Sequence, residues 1–264
     1  MLGKLIKYDL KYGYKLILIV HTVLLIACII GRFVLNSLNF NAPEEVLATS
    51  LGIFISLFTI LMVGVSFSAW GIIAVRFYRN LFTDEGYLTW TLPATPLQHL
   101  WSKIISGVIW YTVDILLSIL GLVILVTGEN IRELYTAIEP ELTEVLGMSL
   151  PMLFGYIAAF LLASSIASVI MIYACVAIGQ LFPGHRVLGA LIAYFIISFV
   201  TQIATLIFMV FFHIFPNASN IPSDGSVADY LFMIFGLSVF LIVLTAIPEY
   251  IATHYIMKKK INLL

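Results

Sequence analysis

Two carboxylates lie inside long apolar stretches of the sequence. Asp114 lies about eleven residues into the third stretch, and Glu249 lies about nine residues before Lys258. At about 1.5 Å per residue, both lie roughly 13 to 17 Å from the basic ends of their helices. An ionisable residue at that depth is a functional candidate by default. Either the carboxylates line a translocation path and attract a cationic substrate, or they are protonated, hydrogen-bonded to nearby hydroxyls and serve packing.

Other reactive groups lack the spacing that chemistry requires. The segment Gly64-Val-Ser-Phe-Ser68 lacks the second glycine of a serine-hydrolase nucleophile motif. No GxxxxGK[ST] phosphate-binding motif is present, because Gly3-Lys4 is the only Gly-Lys pair. The five histidines show no metal-ligand spacing, and we interpret them as residues near span ends. We expect no catalytic residue, no metal and no cofactor in this chain.

The elements that position these residues are membrane helices. Hydrophobic residues make up 62% of the 264 residues and charged residues only 10%, with a mean hydropathy of +1.09. Soluble domains carry about 25% charged residues, so lipid must be the solvent. We predict an all-α integral membrane protein forming one transmembrane domain over residues 1–264. Six spans of at least about 20 residues are expected at about 16–35, 51–75, 104–126, 150–182, 187–214 and 230–256.

The basic residues predict the orientation of these spans. Only Arg32 and Arg132 fall on one side of a six-span chain. The other side carries Lys4, Lys7, Lys11, Lys15, Arg76, Arg79, Lys103, Arg186, Lys258, Lys259 and Lys260. Because lysine and arginine favour the cytosolic side, both termini are expected in the cytosol.

The first fifteen residues form a separate pattern. Their lysines occupy one narrow stripe of a helical wheel, and Leu2, Leu5, Ile6 and Leu10 lie roughly opposite. This predicts an amphipathic helix over 1–15 that lies on the inner leaflet, with a disordered basic leader as the alternative. Asp9 falls on the apolar side and contradicts the pattern.

The fourth span contains small residues at steps of four, which let two helix backbones approach closely in lipid. They are Gly155, Ala159, Ala163 and Ala167. The seam they predict lies either within one subunit or between two subunits.

The connection between the second and third spans has a local structure that can be predicted. Thr83 is placed to cap a helix whose first turn holds Asp84 and Glu85, where the helix dipole favours carboxylates. Pro93 ends that helix after two or three turns. Thr95-Pro-Leu-Gln98 is a second start signal, with proline at the first helical position and glutamine at the third. Either this is a short helix mounted on two spans and suited to receive a push from a soluble partner, or it is an amphipathic loop that rests on the lipid headgroups.

The stretch DEGYLTWTLPATPLQHLWSK resembles the segment after the second span in type-2 ABC exporter permeases. The layout of the whole chain is similar too: an amphipathic entry helix, six spans and basic inner ends. The resemblance implies that residues 1–15 are the elbow helix, and that region 81–93 is the coupling helix, which docks on an ATPase subunit. The docking candidates it implies are Thr83, Asp84, Glu85, Gly86, Tyr87, Leu88 and Pro93.

The resemblance further implies an ATP-driven exporter in the plasma membrane, of bacterial type. This chain would form the path for antimicrobial peptides, drugs or other amphiphiles, as a homodimer or with a related permease. Two copies of a separate ATPase would hold ATP and magnesium, and no nucleic acid is expected as partner. The family often has re-entrant helices between spans five and six, but residues 215–229 leave little room for them.

Two other classes of function are weighed against this one. A proton-coupled secondary transporter would use Asp114 and Glu249, but the sequence shows no inverted repeat. An intramembrane hydrolase would use a serine and a histidine, but serines in spans usually bond to helix carbonyls.

Overall fold

A computed structural model describes residues 1–37, 43–127, 129–214 and 227–259. These residues form helices α1 (Leu2–Ser37), α2 (Glu44–Phe82), α3 (Asp84–Trp90), α4 (Pro96–Val126), α5 (Glu129–Leu146), α6 (Leu150–Gly179), α7 (Arg186–Phe211) and α8 (Val227–Lys259). Six of them, α1, α2, α4, α6, α7 and α8, are long and apolar enough to cross a membrane. The prediction of an all-helical architecture with six candidate spans is confirmed for the described residues, and these helices are consistent with a multi-pass membrane protein.

The helix ends differ from the apolar limits read in the sequence. α2 continues past 75 to Phe82, whereas α6 ends at Gly179 and α7 ends at Phe211. Hydropathy marks where the chain is apolar, but a helix continues wherever its backbone hydrogen bonds do. The expected tight connection over 215–229 falls mostly on residues 215–226, which lie outside the described residues.

The separate helix predicted over 1–15 is not confirmed, because α1 runs without a break from Leu2 to Ser37. One buried stripe continues through the expected boundary and faces α4, at steps of three and four residues. It consists of Asp9, Gly13, Ile17, His21, Leu24, Cys28, Gly31 and Leu35. Asp9, the residue that contradicted the amphipathic pattern, therefore belongs to the packed face of a single long helix.

α5 was not predicted, and its residues were expected to form a simple outer connection. It is rich in charge and contains Pro140, so it lacks the long apolar run that identified the other helices. Its described part nevertheless exposes apolar side chains at helical spacing: Tyr135, Ile138, Leu142 and Val145. That spacing places them on one face of the helix.

The main core lies where the ends of several helices meet. Phe77, Leu81 and Phe82 of α2 pack there with residues of α4, α6 and α8, among them Leu100, Ile104, Val169, Ile172, Ile256 and Met257. Phe77 stacks on Tyr173 with ring centroids 3.9 Å apart, and the Tyr173 hydroxyl donates to the Lys103 carbonyl at 2.9 Å. We call this end, which also carries Arg76, Lys103 and Arg186, the basic end of the bundle.

The predicted small-residue seam of α6 is only partly packed within the chain. Gly155 and Ala159 are exposed, and among the described residues no atom of a neighbouring element lies within 4 Å of a Cβ built at Gly155. Ala163 and Ala167 are partly buried and line an apolar groove of about 370 Å³ between α6 and α8.

α6 and α7 approach most closely at Gly179. A Cβ built there lies 2.5 Å from the Arg186 carbonyl oxygen and 2.7 Å from the Ala190 nitrogen. Both are backbone atoms, so they cannot move aside as a side chain does. We expect Gly179→Ala to destabilise the protein by about 1–3 kcal/mol through overpacking.

Thermal unfolding of the purified protein in detergent measures this effect. Gly184→Ala in the turn that follows α6 is the control, because a Cβ there meets no atom of the described residues within 4 Å. Equal midpoints for the two variants would contradict the predicted crowding.

Candidate functional site

The short helix α3 begins where the sequence predicts it, but its N-terminus is not capped as expected. Thr83 has extended backbone angles and occupies the cap position. Its hydroxyl donates to the Arg79 carbonyl at 2.6 Å and makes no hydrogen bond to an amide of α3. The predicted side-chain cap is therefore wrong, because the end of α2 lies close enough to compete for the hydroxyl.

The far end of α3 is fixed to both neighbouring helices. The predicted capping box of α4 is present: Thr95 Oγ1 accepts from the Gln98 amide at 3.3 Å, and Gln98 Oε1 accepts from the Thr95 amide at 3.1 Å. Trp90 Nε1 donates to the Leu81 carbonyl at 3.1 Å, which ties the last turn of α3 back to α2. A hydrogen bond thus joins the last turn of α3 to α2, and a short turn leads from α3 into the capped start of α4.

The predicted docking residues fall on different faces of α3. Glu85 points toward α2, where it pairs with Arg79 at 3.0 Å and Arg76 at 3.4 Å. Gly86 is buried on the packed side and Thr83 is partly buried. The residues left exposed are Asp84, Tyr87, Leu88 and Pro93, and Leu88 is 76% exposed. Any partner of α3 therefore meets a mixed apolar and acidic face, and Glu85 holds the helix from behind.

A chain of charged residues extends from α3 into the bundle. Arg76, which pairs with Glu85, lies 3.6 Å from Asp9 of α1, and its guanidinium lies 3.7 Å over the ring of Tyr12. Asp9 also accepts from Lys103 of α4 in a close ion pair. Asp9 and Lys103 are almost fully buried, with side chains 7% and 5% exposed. We call Asp9, Arg76, Arg79, Glu85 and Lys103 the charged network.

The charged network connects α1, α2, α3 and α4. Burial of charge in a membrane protein is costly unless each charge is paired, and here every buried charge has an opposite partner. Sequence reasoning identified only Glu85 of its members as a site residue. The other members could have been found from Asp9, because a carboxylate on an apolar helix face requires a basic partner.

No protein-family model, curated protein or solved structure matches the chain. The geometry of α3 and of the charged network therefore has to carry the functional assignment, together with the sequence pattern.

Asp114, the first of the two carboxylates deep in the spans, faces α1. Its Oδ1 lies 2.8 Å from His21 Nε2, and His21 Nδ1 lies 2.7 Å from the Ile17 carbonyl. Because a carbonyl only accepts, Nδ1 must carry a proton. One further proton lies between Nε2 and Oδ1, so the pair is neutral overall whichever atom holds it. His21, which we interpreted as a residue near a span end, is 1% exposed and paired across two helices, so it is not an isolated interfacial residue.

No hydrogen bond or ion pair among the described residues joins the Glu249 carboxylate to Asp114 or His21. It lies partly exposed on α8, and its backbone carbonyl accepts from the Thr253 hydroxyl at 2.8 Å. Asp114 is instead directed to α1. The two carboxylates that the sequence suggested for one path therefore have different surroundings.

Proposed function

We propose that this chain is the transmembrane permease subunit of an ATP-driven ABC exporter. The observation that carries the proposal is α3, a short helix between the ends of two candidate spans, with Asp84, Tyr87 and Leu88 exposed. The resemblance of DEGYLTWTLPATPLQHLWSK to the coupling segment of type-2 ABC exporter permeases supports the same assignment. ATP and magnesium would be bound by the partner, and this chain would hydrolyse no ATP.

The charged network gives the proposed mechanism its physical path. Two ATPase subunits that approach each other on binding ATP would move the α3 helices they grip. α3 is fixed to α2 through Glu85 and Trp90, and to α4 through the Thr95 turn. Asp9 of α1 pairs with Arg76 and Lys103, and these ion pairs would transmit the displacement to α1. Rigid-body movement of these helices would then switch the path from inward to outward access.

The proposed assembly contains two permease copies, or this chain and a related permease. It lies in the plasma membrane, of bacterial type, with both termini in the cytosol, as the distribution of lysine and arginine indicates. The exposed Gly155 and Ala159 of α6 offer a small-residue surface to a second subunit. Antimicrobial peptides, drugs or other amphiphiles are the proposed substrates.

Co-purification of an ATPase tests the proposal. Tagged protein isolated from its native membrane in mild detergent should bring down a separate ATP-hydrolysing subunit. Leu88→Arg places a charge on the most exposed apolar position of α3. We expect it to lower ATPase recovery at least about tenfold, the equivalent of 1.4 kcal/mol.

Leu181→Arg is the matched control, because Leu181 is 47% exposed in the turn after α6 at the same end of the bundle. Glu85→Arg is a poorer probe, since it would place three arginines together behind α3. The proposal is wrong if no ATPase accompanies the unmodified protein, or if Leu88→Arg recovers as much ATPase as Leu181→Arg.

A further inference from the structure

The first part of α1 carries four exposed lysines, Lys4, Lys7, Lys11 and Lys15. Their spacing of three and four residues places them on one face of the helix, opposite the buried face that packs on α4. No salt bridge joins any of them to a carboxylate of the described residues. We call these four residues the lysine stripe. It is a row of cations without an anionic partner in the described part of the chain.

The ion pairs of Asp9 show how deep the lysine stripe lies. Asp9 is paired with Arg76, which follows the apolar stretch of α2, and with Lys103, which precedes that of α4. Asp9 is therefore level with the edge of the apolar layer. At about 1.5 Å per residue, Lys4 lies about 7.5 Å outside this edge and Lys15 lies about 9 Å inside it. The headgroup layer is roughly 5–7 Å thick, so the lysine stripe crosses it and enters the apolar layer.

Lys11 and Lys15 need an anion close to the edge of the apolar layer. A charged side chain within that layer is costly. Side chains of a helix lean towards its N-terminus, so the long lysine stems carry both ammonium groups back towards the edge. This brings the ammonium groups towards the level of the lipid phosphates.

Tyrosines border the lysine stripe at the same level. Tyr8, Tyr12 and Tyr14 are 68%, 43% and 38% exposed. Tyrosine is enriched where the apolar layer meets the headgroups, because its ring is apolar and its hydroxyl is polar. Exposed lysines and tyrosines together indicate that this face of α1 meets lipid headgroups.

The same face of α1 continues as an apolar, exposed surface. Leu18, Ile26, Ile29 and Phe33 follow the lysines at helical spacing, and Phe33 is 70% exposed. A phospholipid matches both parts of this face, because its acyl chains cover the apolar residues while its phosphate meets the lysines. A soluble acidic protein matches only the lysines.

A second copy of the chain matches the lysine stripe poorly. Each copy would bring its own row of lysines. Among the described residues of the basic end, Asp84 is the only exposed carboxylate without a cationic partner. One such carboxylate per chain cannot neutralise four lysines, whereas basic residues at a membrane surface attract anionic lipids.

We propose that the lysine stripe binds the phosphates of anionic phospholipids, of the phosphatidylglycerol type, whose acyl chains lie along the apolar continuation of the same face. The lipids would neutralise the lysines that enter the apolar layer and so hold the start of α1 at its depth. A helix lying flat on the membrane would turn its lysines to water, whereas here the lysine face is the face that contacts lipid. This role is separate from transport and from any ATPase.

Native mass spectrometry of the full chain, released from nanodiscs, tests the proposal. The nanodiscs contain equal amounts of phosphatidylglycerol and phosphatidylcholine, and we expect phosphatidylglycerol to be retained in preference. The double variant Lys7→Gln/Lys11→Gln removes two exposed charges from the middle of the lysine stripe. It should lower the retention of phosphatidylglycerol about tenfold.

Two double variants serve as controls. Lys258→Gln/Lys259→Gln removes the same charge from exposed positions at the end of α8, outside the lysine stripe, and should leave retention nearly unchanged. Lys7→Arg/Lys11→Arg keeps both charges and should retain phosphatidylglycerol as the unmodified protein does.

Three outcomes would overturn the proposal. Equal retention of the two lipids by the unmodified protein would show that anionic headgroups are not recognised. Equal losses in the two glutamine variants would show a general attraction to the basic end and no site at the lysine stripe. A changed oligomeric mass in Lys7→Gln/Lys11→Gln, with unchanged lipid retention, would show that the stripe meets a second copy of the chain. The assay contains no ATPase, so its result does not depend on the proposed transport function.

Discussion

Asp9→Ala is expected to destabilise the folded protein by about 3–5 kcal/mol, the usual cost of removing one partner from a buried ion pair. The substitution leaves Lys103, whose side chain is only 5% exposed, without its close carboxylate partner. Arg76 also loses Asp9 and keeps only Glu85 as an acidic partner, so two cations lie close to one exposed carboxylate. Equilibrium unfolding of the purified chain in mixed micelles, with increasing SDS, measures the change.

A paired substitution separates lost charge balance from lost packing. Asp9→Leu combined with Lys103→Met removes both charges and keeps side-chain volume, so it should recover most of the lost stability. Arg79→Ala removes a cation that is half exposed and should cost at most about 1 kcal/mol. If Asp9→Ala unfolds at the same SDS fraction as the unmodified protein, the buried pair does not hold α1 against α4.

The spans could be predicted because hydropathy is a local property. Each apolar stretch is long enough to be recognised as a span without knowledge of what it packs against. Six candidate spans are present in the structure. α5 could not be found by the same criterion, since it is a charged helix. Its apolar residues at 135, 138, 142 and 145 do repeat at helical spacing. A search for helical periodicity in the connections would have detected it.

The lysines do not show whether residues 1–15 form a separate helix or the first part of one long helix α1. Their stripe describes the exposed face of the first four turns, which looks the same on an interfacial helix and on the projecting end of a span. The opposite face decides between the two, because Asp9, Gly13 and Ile17 continue the stripe that packs on α4. Tertiary structure decides which face of a helix packs on another helix. The only indication of this in the sequence is Asp9, a carboxylate on an otherwise apolar face.

Local sequence signals predicted the limits of α3 better than they predicted its contacts with other helices. α3 starts at Asp84 as predicted, although the Thr83 cap is absent, and the capping box of Thr95 and Gln98, which depends on neighbours three residues apart, is present. The direction of Glu85 depends on Arg76 and Arg79, which belong to the preceding helix. Residues on both sides of a helix break have no fixed angular relation, so the pairing was not predictable from spacing.

His21→Leu is expected to cost about 3–5 kcal/mol, because it leaves the Asp114 carboxyl buried without its partner. Asp114→Asn should cost no more than about 1.5 kcal/mol, the scale of one hydrogen bond. The Ile17 carbonyl holds the proton on His21 Nδ1, so Nε2 of the neutral ring can accept from an asparagine amide. The same SDS titration measures the stability of both variants. Equal losses of stability would contradict a His21–Asp114 pair held by one shared proton.

Transport by Asp114→Asn then separates two functions. A proton-coupled transporter needs a group that binds and releases a proton, and asparagine cannot do so. Such a transporter would lose transport in this variant while the fold stays intact. An ATP-driven exporter in which His21 and Asp114 only hold α1 against α4 should retain most of its transport in vesicles that supply ATP. Loss of transport at normal expression and stability would show that Asp114 takes part in transport, either in a proton path or by attracting a cationic substrate, and would overturn a purely structural role.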